Sequence, residues 1–315
     1  MAQRAPDNIN EMTAHLKSHL KGQILADELL AKRTWLGVGG CADIYFEPAD
    51  EDDLAQFLTA IPQDMPLTIL GAGSNMLIRD GGLDGAVIKL TGSLAEVTIA
   101  DEIITAGAGA TDADVARFAS RNHRGGLAFL VSIPGTIGGG LTMNAGCYGS
   151  EFKDVLISAR MMDRTGAIHE MTASEMGMTY RHCDVAKDMI FLSATFHSDP
   201  ADSADIKAEM KEMLAMRAAT QPQGVRTGGS TFANPQGHKA WQVIDAAGCR
   251  GKRIGDASMN EKHCNFLINH GAATAADIEA LGCAVAEAVQ AHSGIELRWE
   301  IRRLGRQTSQ IGDAS

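Results

Sequence analysis

The six cysteines of this chain form no CxxC pair and no zinc-like spacing, which argues against a zinc ribbon or a thioredoxin-type redox motif. Cys41, Cys147, Cys183, Cys249, Cys264 and Cys283 lie scattered, and they are expected to be reduced and packed, as suits a cytoplasmic chain. Basic residues are in deficit: 28 Lys and Arg stand against 39 Asp and Glu, for a formal net charge of −11. Aromatic residues are scarce as well, with three Trp, three Tyr and nine Phe and no basic–aromatic interleaving. Nucleic-acid binding relies on clustered cations and stacking platforms, so no nucleic acid is expected as a partner. The opening segment MAQRAPDNINEMTAHLKSHL lacks the apolar core of a signal peptide. The most apolar longer stretch, Leu127 to Leu141, is broken by Pro134 and several glycines and is too short to span a bilayer, so no membrane association is expected. His15 and His19 form an i, i+4 pair, but no cysteine or acidic cluster supports it, and no metal is expected.

What the chain does have is glycine, 34 residues of it, with clusters at 37–40, 71–85, 107–109, 125–126 and 135–149, all before residue 150. Between the clusters lie strand-like runs at Ala42–Glu47, Leu67–Leu70, Ala86–Leu90, Glu96–Ile99 and Ile103–Ala106. Two helical patterns interrupt them, Asp50–Ala60 and Thr111–His123, the second opening with Thr111 and Asp114 as a capping box and stopping at Gly125. Leu156–Met162 and Ala167–Met171, joined by Asp163-Arg164-Thr165-Gly166, predict a hairpin, and Ile190–Phe196 predicts a buried strand. The composition then changes near Asp199. A helix over Ala204–Ala219 is expected to bury Ile206, Met210, Met213 and Leu214. Helices near His238–Ala247 and Thr274–His292 alternate with strands at Asn265–Asn269 and Ile295–Leu304, which suits a separate small α+β unit. The expected division is therefore residues 1–200, with a softer break near 90, then 201–305 and a frayed tail over 306–315.

Glycine-rich loops after strands suggest a phosphate cradle, but the common versions fail. No GxxxxGK followed by Ser or Thr is present. Gly71-Ala72-Gly73-Ser74-Asn75-Met76 has Met where a dinucleotide fingerprint has its third glycine, and Leu77-Ile78 continues as a strand rather than a helix. What remains is a strand–loop–strand cradle in which Gly71 and Gly73 admit close approach and Ser74 and Asn75 add polar groups, or else simply a tight turn. The run Ile133 to Gly140, followed by Met143 to Gly149, is too rich in glycine to read as helix or strand, and a large flat ligand lying on the backbone would explain it.

The loops GAGSNMLI (71–78) and IPGTIGGGLTMNAGCYGSE (133–151) resemble the diphosphate- and flavin-binding loops of the UDP-N-acetylenolpyruvoylglucosamine reductase (MurB) family. The resemblance runs from Thr34-Trp35-Leu36-Gly37-Val38-Gly39-Gly40 to Gly305, and no long insertion follows Tyr180, as in the shorter subtype. It implies an α+β chain: a two-lobed FAD-binding domain of the vanillyl-alcohol-oxidase type (lobes about 1–90 and 91–200), followed by a smaller α+β substrate domain. The implied enzyme is an FAD-dependent oxidoreductase of peptidoglycan precursor synthesis. Hydride would pass from NADPH to non-covalent FAD and on to the enolpyruvyl methylene carbon of UDP-N-acetylglucosamine enolpyruvate, giving UDP-N-acetylmuramate. The cofactor contacts implied are Gly71, Gly73, Ser74, Asn75, Met76, Gly135, Thr136, Ile137, Gly139, Asn144, Gly146 and Arg217, with Tyr148 in a flavin loop.

Such a reduction needs groups that stabilise an enolate-like carboxylate and an acid that protonates carbon. The resemblance assigns the first role to Arg181 in Thr179-Tyr180-Arg181-His182, whose guanidinium stays charged and grips carboxylates with paired hydrogen bonds. Glu300 matches the glutamate of the last strand, either as a neutral donor or as a partner of Arg181; a solvated ladder of Glu296, Arg298, Glu300 and Arg302 is the plain alternative. Ser230, in Gly228-Gly229-Ser230-Thr231-Phe232, matches the proton donor, and no GxSxG elbow surrounds it. Asn234 and Lys239 are implied substrate contacts. Ala233 departs from a position that is often basic, which puts one phosphate contact in doubt. His263 and Asn265 fit a KHxNF string without a defined role. A flavin oxidase or dehydrogenase of the same fold with another substrate, or a silent flavin-binding module, remains open, and a monomer is favoured.

Overall fold

The computed structural model describes residues 7–308. Its chain divides into two compact units. The first comprises Met1–Ala26, Ile44–Ala72 and Gly85–Arg217, and the second comprises Asp27–Asp43, Gly73–Asp84 and Ala218–Ser315. The second unit thus starts at 218 rather than 201 and draws in two earlier segments. Contiguous composition could not reveal that, because strands pair without regard to distance along the chain.

In the first unit an antiparallel sheet runs in the order Ile168–Thr172, Leu156–Met162, Ile190–His197, Ile103–Gly107, Val97–Ala100. Ile190–His197 is the central strand, and five of its first six residues face the core as a near-continuous apolar run. The expected hairpin closes where Asp163 N donates to Ala167 O at 2.9 Å and Gly166 takes φ +84°. A shorter pair, Leu67–Ile69 with Leu83–Ile88, is parallel. Helix Glu51–Ala60 starts at Asp50, whose side chain accepts from Asp53 N, and helix Asp112–Arg121 starts at Thr111, capped by Asp114 N as the sequence predicts. That second helix ends at Asn122, with the left-handed turn supplied by His123 at φ +57° rather than by Gly125. The core gathers Phe46 and Phe57, stacked at 4.4 Å, and Phe152 set edge-on to Phe129 and Phe196.

The second unit holds an antiparallel sheet in the order Arg226–Ser230, Phe266–Asn269, Ala257–Met259, Arg253–Ile254. Helices Ala240–Ala246 and Ala275–Ser293 accompany it, the latter with a full Thr274–Asp277 capping box. Leu36, Leu77, Phe232, Ile244, Leu267, Ile278, Leu281 and Val285 form its core. Arg302–Leu304 pairs parallel with Met76–Ile78.

Three expectations need correction. Residues 295–301 are not strand, and only Arg302–Leu304 is. Leu297 and Ile301 are nonetheless buried while Glu296, Arg298 and Arg302 are exposed, so the alternation was real but the ladder short. Leu214 is exposed, because helix Ser203–Thr220 buries only the narrower stripe of Ile206, Met210 and Met213. Ile137–Met143 is α-helix despite three consecutive glycines. Packing overrides propensity there: a Cβ on Gly138 would lie 3.2 Å from Ala108 Cβ, and one on Gly140 only 2.2 Å from Phe152 Cζ. Of the tail expected to fray, Arg306 bonds to Gly81 and Gly82 and pairs with Asp84 at 2.8 Å, while 309–315 lie outside the described residues.

Candidate active site

The glycine-rich loop residues of the first unit lie on a tightly tied backbone. Asp112 N donates to Gly135 O at 3.2 Å, Ile137 N to Ala110 O at 2.9 Å and Gly138 N to Ala108 O at 2.9 Å, so the 107–112 and 135–138 segments run together. Gly71 faces Thr136 Oγ1, where an added Cβ would lie at 2.6 Å. Gly139 is open by comparison, since a Cβ would meet nothing closer than Thr136 Oγ1 at 3.6 Å. Ile137 is fully buried, so its side chain belongs to the core. Asn144 ends the helix in the left-handed conformation, φ +40°, and is buried. Both hydrogens of its amide are engaged, with Glu151 Oε2 at 3.0 Å and Thr179 O at 3.1 Å, and its Oδ1 accepts Lys153 N at 3.0 Å. The Asn144 side chain therefore positions the loop and has no donor left for a ligand.

Beyond it, Gly146-Cys147 pairs with Ser150-Glu151 across Tyr148-Gly149, both at positive φ (+53° and +88°), as a two-residue hairpin turn demands. Tyr148 is exposed at its ring and donates its hydroxyl to Met213 O at 2.9 Å. Arg181 sits at φ +55° in the tight turn closed by Thr179 and His182, its Nη2 donates to Gly146 O at 3.3 Å, and its guanidinium lies 4.9 Å from the Tyr180 ring centroid. Arg217 donates to Ser132 O, and burial draws its pKa down while leaving it a cation. Burial pushes the Cys147 thiol up to about 11, against the opposing pull of Arg217 and Arg181.

Two polar groups in these loops lack a hydrogen-bond partner among the described residues. Ser132 Oγ is one, and the Asp112 carboxyl, with both oxygens buried, is the other. Burial raises the Asp112 pKa well above its ordinary value. Sequence reasoning missed both, because Asp112 reads only as an acidic first-turn residue and Ser132 as filler. Orphaned buried polar atoms beside a backbone that a Cβ would crowd fit a bound planar cofactor with hydrogen-bonding edges.

In the second unit Gly73 takes φ +68°, and a Cβ there would lie 2.4 Å from Arg33 O. Ser74 is half-buried, whereas Met76 is buried and pairs with Arg302 in the strand, so its side chain serves the core. Asn75 Nδ2 donates to Glu300 O at 3.3 Å and Asn75 O accepts Arg302 N at 3.1 Å, which ties that loop to the segment that carries Glu300 into the strand Arg302–Leu304. Ser230 ends Arg226–Ser230 opposite Phe266, after a register shift in which Gly229 takes φ +76°. Its hydroxyl has no hydrogen bond among the described residues and is half-buried. Thr231 O accepts Glu300 N at 2.8 Å and Ala233 N donates to Arg298 O at 2.9 Å, so Ser230 and Glu300 sit on adjoining backbone. Trp299, its ring tilted against Phe232 at 5.2 Å, packs on Gly282, where a Cβ would lie 2.2 Å from its ring. Asn234 is exposed and its Oδ1 caps Ala240 N at 3.0 Å, leaving the amide nitrogen available. Lys239 is exposed at the start of that helix, and Ala233 is buried. The structure thus puts Ser230, Glu300, Asn75 and Asn234 in one unit and Arg181, Arg217 and the glycine helix in the other, whereas the sequence reading grouped Asn75 with residues 1–200 and Arg217 with 201–305.

Comparison with known proteins supplies the remaining observation. Residues 221–304 match the family model of the UDP-N-acetylenolpyruvoylglucosamine reductase C-terminal domain, and residues 42–172 match that of an FAD binding domain. A UDP-N-acetylenolpyruvoylglucosamine reductase of Azorhizobium caulinodans is 50% identical over 95% of this chain and 97% of its own length. The chain is a member of the UDP-N-acetylenolpyruvoylglucosamine reductase family. Its relative from Parvibaculum lavamentivorans is likewise 50% identical, over 94% of this chain and 96% of that protein. The crystal structure of the reductase (MurB) from Thermus caldophilus superposes with TM-score 0.78 at 29% identity, covering 91% of this chain and all of that one. The fold class expected from sequence, an α+β FAD-binding domain with a smaller second domain, is that of the reductase family.

Proposed function

We propose that this family member reduces the enolpyruvyl group of UDP-N-acetylglucosamine enolpyruvate to the lactyl ether of UDP-N-acetylmuramate, a step of peptidoglycan precursor synthesis. When bound, FAD would supply the two-electron chemistry, the transfer of hydride between NADPH and the terminal methylene carbon. Gly71, Gly73, Ser74, Asn75, Gly135, Thr136, Ile137, Gly139, Gly146 and Arg217 would hold it non-covalently, chiefly through backbone. Met76 and Asn144 act behind that layer, since their side chains are committed within the protein. Arg181 holds the substrate carboxylate as charge develops next to it, and Glu300 gives that charge a carboxyl hydrogen bond. Ser230 delivers its hydroxyl proton to the carbon beside the carboxylate and regains one from solvent. Asn234 offers its free amide nitrogen, and Lys239 its ammonium, to the nucleotide-sugar. The first unit carries most of the proposed cofactor residues and the second most of those proposed for substrate, together with Gly73, Ser74 and Asn75. The protein works as a monomer in the cytoplasm, a compartment consistent with six free thiols. Among the described residues no helix is long and apolar enough to cross a bilayer.

The observation that supports the reading is the junction at Thr231, whose carbonyl accepts Glu300 N at 2.8 Å, so that the residue after Ser230 is bonded to the backbone of Glu300. Anaerobic stopped-flow absorbance tests it. The yellow protein should bleach with NADPH and recover colour with the enolpyruvyl nucleotide-sugar, but not with the sugar lacking that group. Bleaching without recovery would overturn the substrate, and a protein that cannot be loaded with FAD would overturn the whole assignment.

A further inference from the structure

Asn265 is buried, and both ends of its side-chain amide are spent on one backbone unit. Its Oδ1 accepts Phe232 N at 3.0 Å, and its Nδ2 donates to Phe232 O at 2.8 Å. Its own carbonyl accepts Thr231 N at 2.7 Å. One residue therefore makes three hydrogen bonds to the two residues that follow Ser230. The side-chain pair has the donor–acceptor form of an antiparallel strand contact, so the carboxamide stands in for a strand that is not there.

A stand-in is needed at that point. The ladder between Arg226–Ser230 and Phe266–Asn269 is regular at Arg226↔Asn269 and Thr227↔Ile268, then slips before Ser230↔Phe266, with Gly229 at positive φ. Past the slip, the chain leaves Phe266–Asn269 and turns to residues 298–300. Thr231 joins both sides: its Oγ1 accepts Leu267 N at 3.2 Å and its carbonyl accepts Glu300 N at 2.8 Å. A glycine-loosened bulge is a poor place to hold a proton donor unless the residues just after it are fixed.

We propose that Asn265 is a positioning residue for Ser230 and Glu300, holding both main-chain polar groups of Phe232 so that the strand enters the Thr231 junction in one geometry. This rests on the proposed reading of Ser230 as proton donor. Asparagine suits the role because it offers a donor and an acceptor at one fixed reach. A carboxylate of the same shape keeps the acceptor but turns a negative oxygen toward the Phe232 carbonyl, and alanine keeps neither.

The two half-reactions separate positioning from folding. In Asn265→Ala, flavin reduction by NADPH should stay within about twofold of the unaltered enzyme, while reoxidation by the enolpyruvyl nucleotide-sugar should slow by about 100-fold, the scale set by a displacement near 1 Å. Substrate affinity, read from perturbation of the oxidised flavin spectrum, should move far less. Asn265→Asp should show an ionisation in reoxidation that the unaltered enzyme lacks. Its rate relative to the unaltered enzyme should recover as pH falls, because the protonated acid regains a donor for Phe232 O. A merely structural role would not add that ionisation. Should Asn265→Ala fail to hold flavin, the isosteric Asn265→Asp decides alone. Reoxidation at the unaltered rate with no added ionisation in Asn265→Asp, or equal slowing of both half-reactions, would overturn the proposal. Ser230→Ala measured alongside distinguishes the two failures. A slow Ser230→Ala with an unaffected Asn265→Asp sinks the positioning role only, whereas an unimpaired Ser230→Ala removes the proton-donor reading on which it rests.

Discussion

At the scale of single residues, charge and burial decide what each candidate can do. Asp112 is the sharpest case, a carboxyl with neither oxygen bonded among the described residues and a pKa raised by burial. A carboxyl whose folded pKa is raised contributes its full stability below its unfolded value and loses it as pH rises through the folded one. Asp112→Asn removes the ionisation while keeping the shape. It should therefore be more stable than the unaltered protein at pH 7 by about 1 kcal/mol, roughly 2–4 °C in melting temperature, with the gain vanishing near pH 4. A melting temperature lowered at pH 7 would instead mean that the ionised carboxylate is being held. Arg181, Ser230 and Glu300 were nameable from motif strings, because an arginine after Thr-Tyr or a serine after Gly-Gly keeps its identity in any fold. Asn144 was nameable too, but its chemistry was not: only the bonds to Glu151, Thr179 and Lys153 show that its side chain serves the loop.

Elements were legible where a local signal exists. Thr111 and Asp114, Thr274 and Asp277, and the Asp163–Gly166 turn state their caps and bends within four residues, and those elements appear where expected. The glycine helix Ile137–Met143 was misread because propensity argues against it and only contact explains it. Alanine in place of glycine ordinarily favours a helix by roughly 0.5–1 kcal/mol. At Gly140 the added methyl would lie 2.2 Å from a Phe152 ring wedged between Phe129 and Phe196, so the ring has no room to withdraw. Gly140→Ala should destabilise the protein by about 1–3 kcal/mol and release flavin, read by thermal melting and by absorbance of the filtrate after dilution. An unchanged melting temperature would show that the ring does move. Elsewhere a paired side chain does what sequence adjacency cannot: Arg79 grips Glu279 with two bonds of 2.8 Å, Arg303 adds a third at 3.0 Å, and the strand Met76–Ile78 is tied to helix Ala275–Ser293.

For the whole molecule the governing quantity is linkage between cofactor and fold. A ligand that binds only the folded chain stabilises it by about 2.7 kcal/mol at a hundredfold excess over its dissociation constant. Flavin-free protein should accordingly melt several degrees lower and regain that margin as FAD is added, in a concentration-dependent way; acid precipitation should leave the FAD in the supernatant, as non-covalent attachment requires. A pellet that stays yellow would contradict that attachment. The sequence alone determined the family, the candidate flavin loops, the three candidate catalytic residues and most helix and strand positions, because each is written in neighbouring residues and survives any rearrangement of the rest. Tertiary structure alone decided that segments 27–43 and 73–84 join the C-terminal unit, that three glycines form a helix and that Met76 is core. It also decided that Asn265 holds Phe232. Those outcomes depend on partners up to more than a hundred residues away, which packing and strand pairing choose and which no local pattern records.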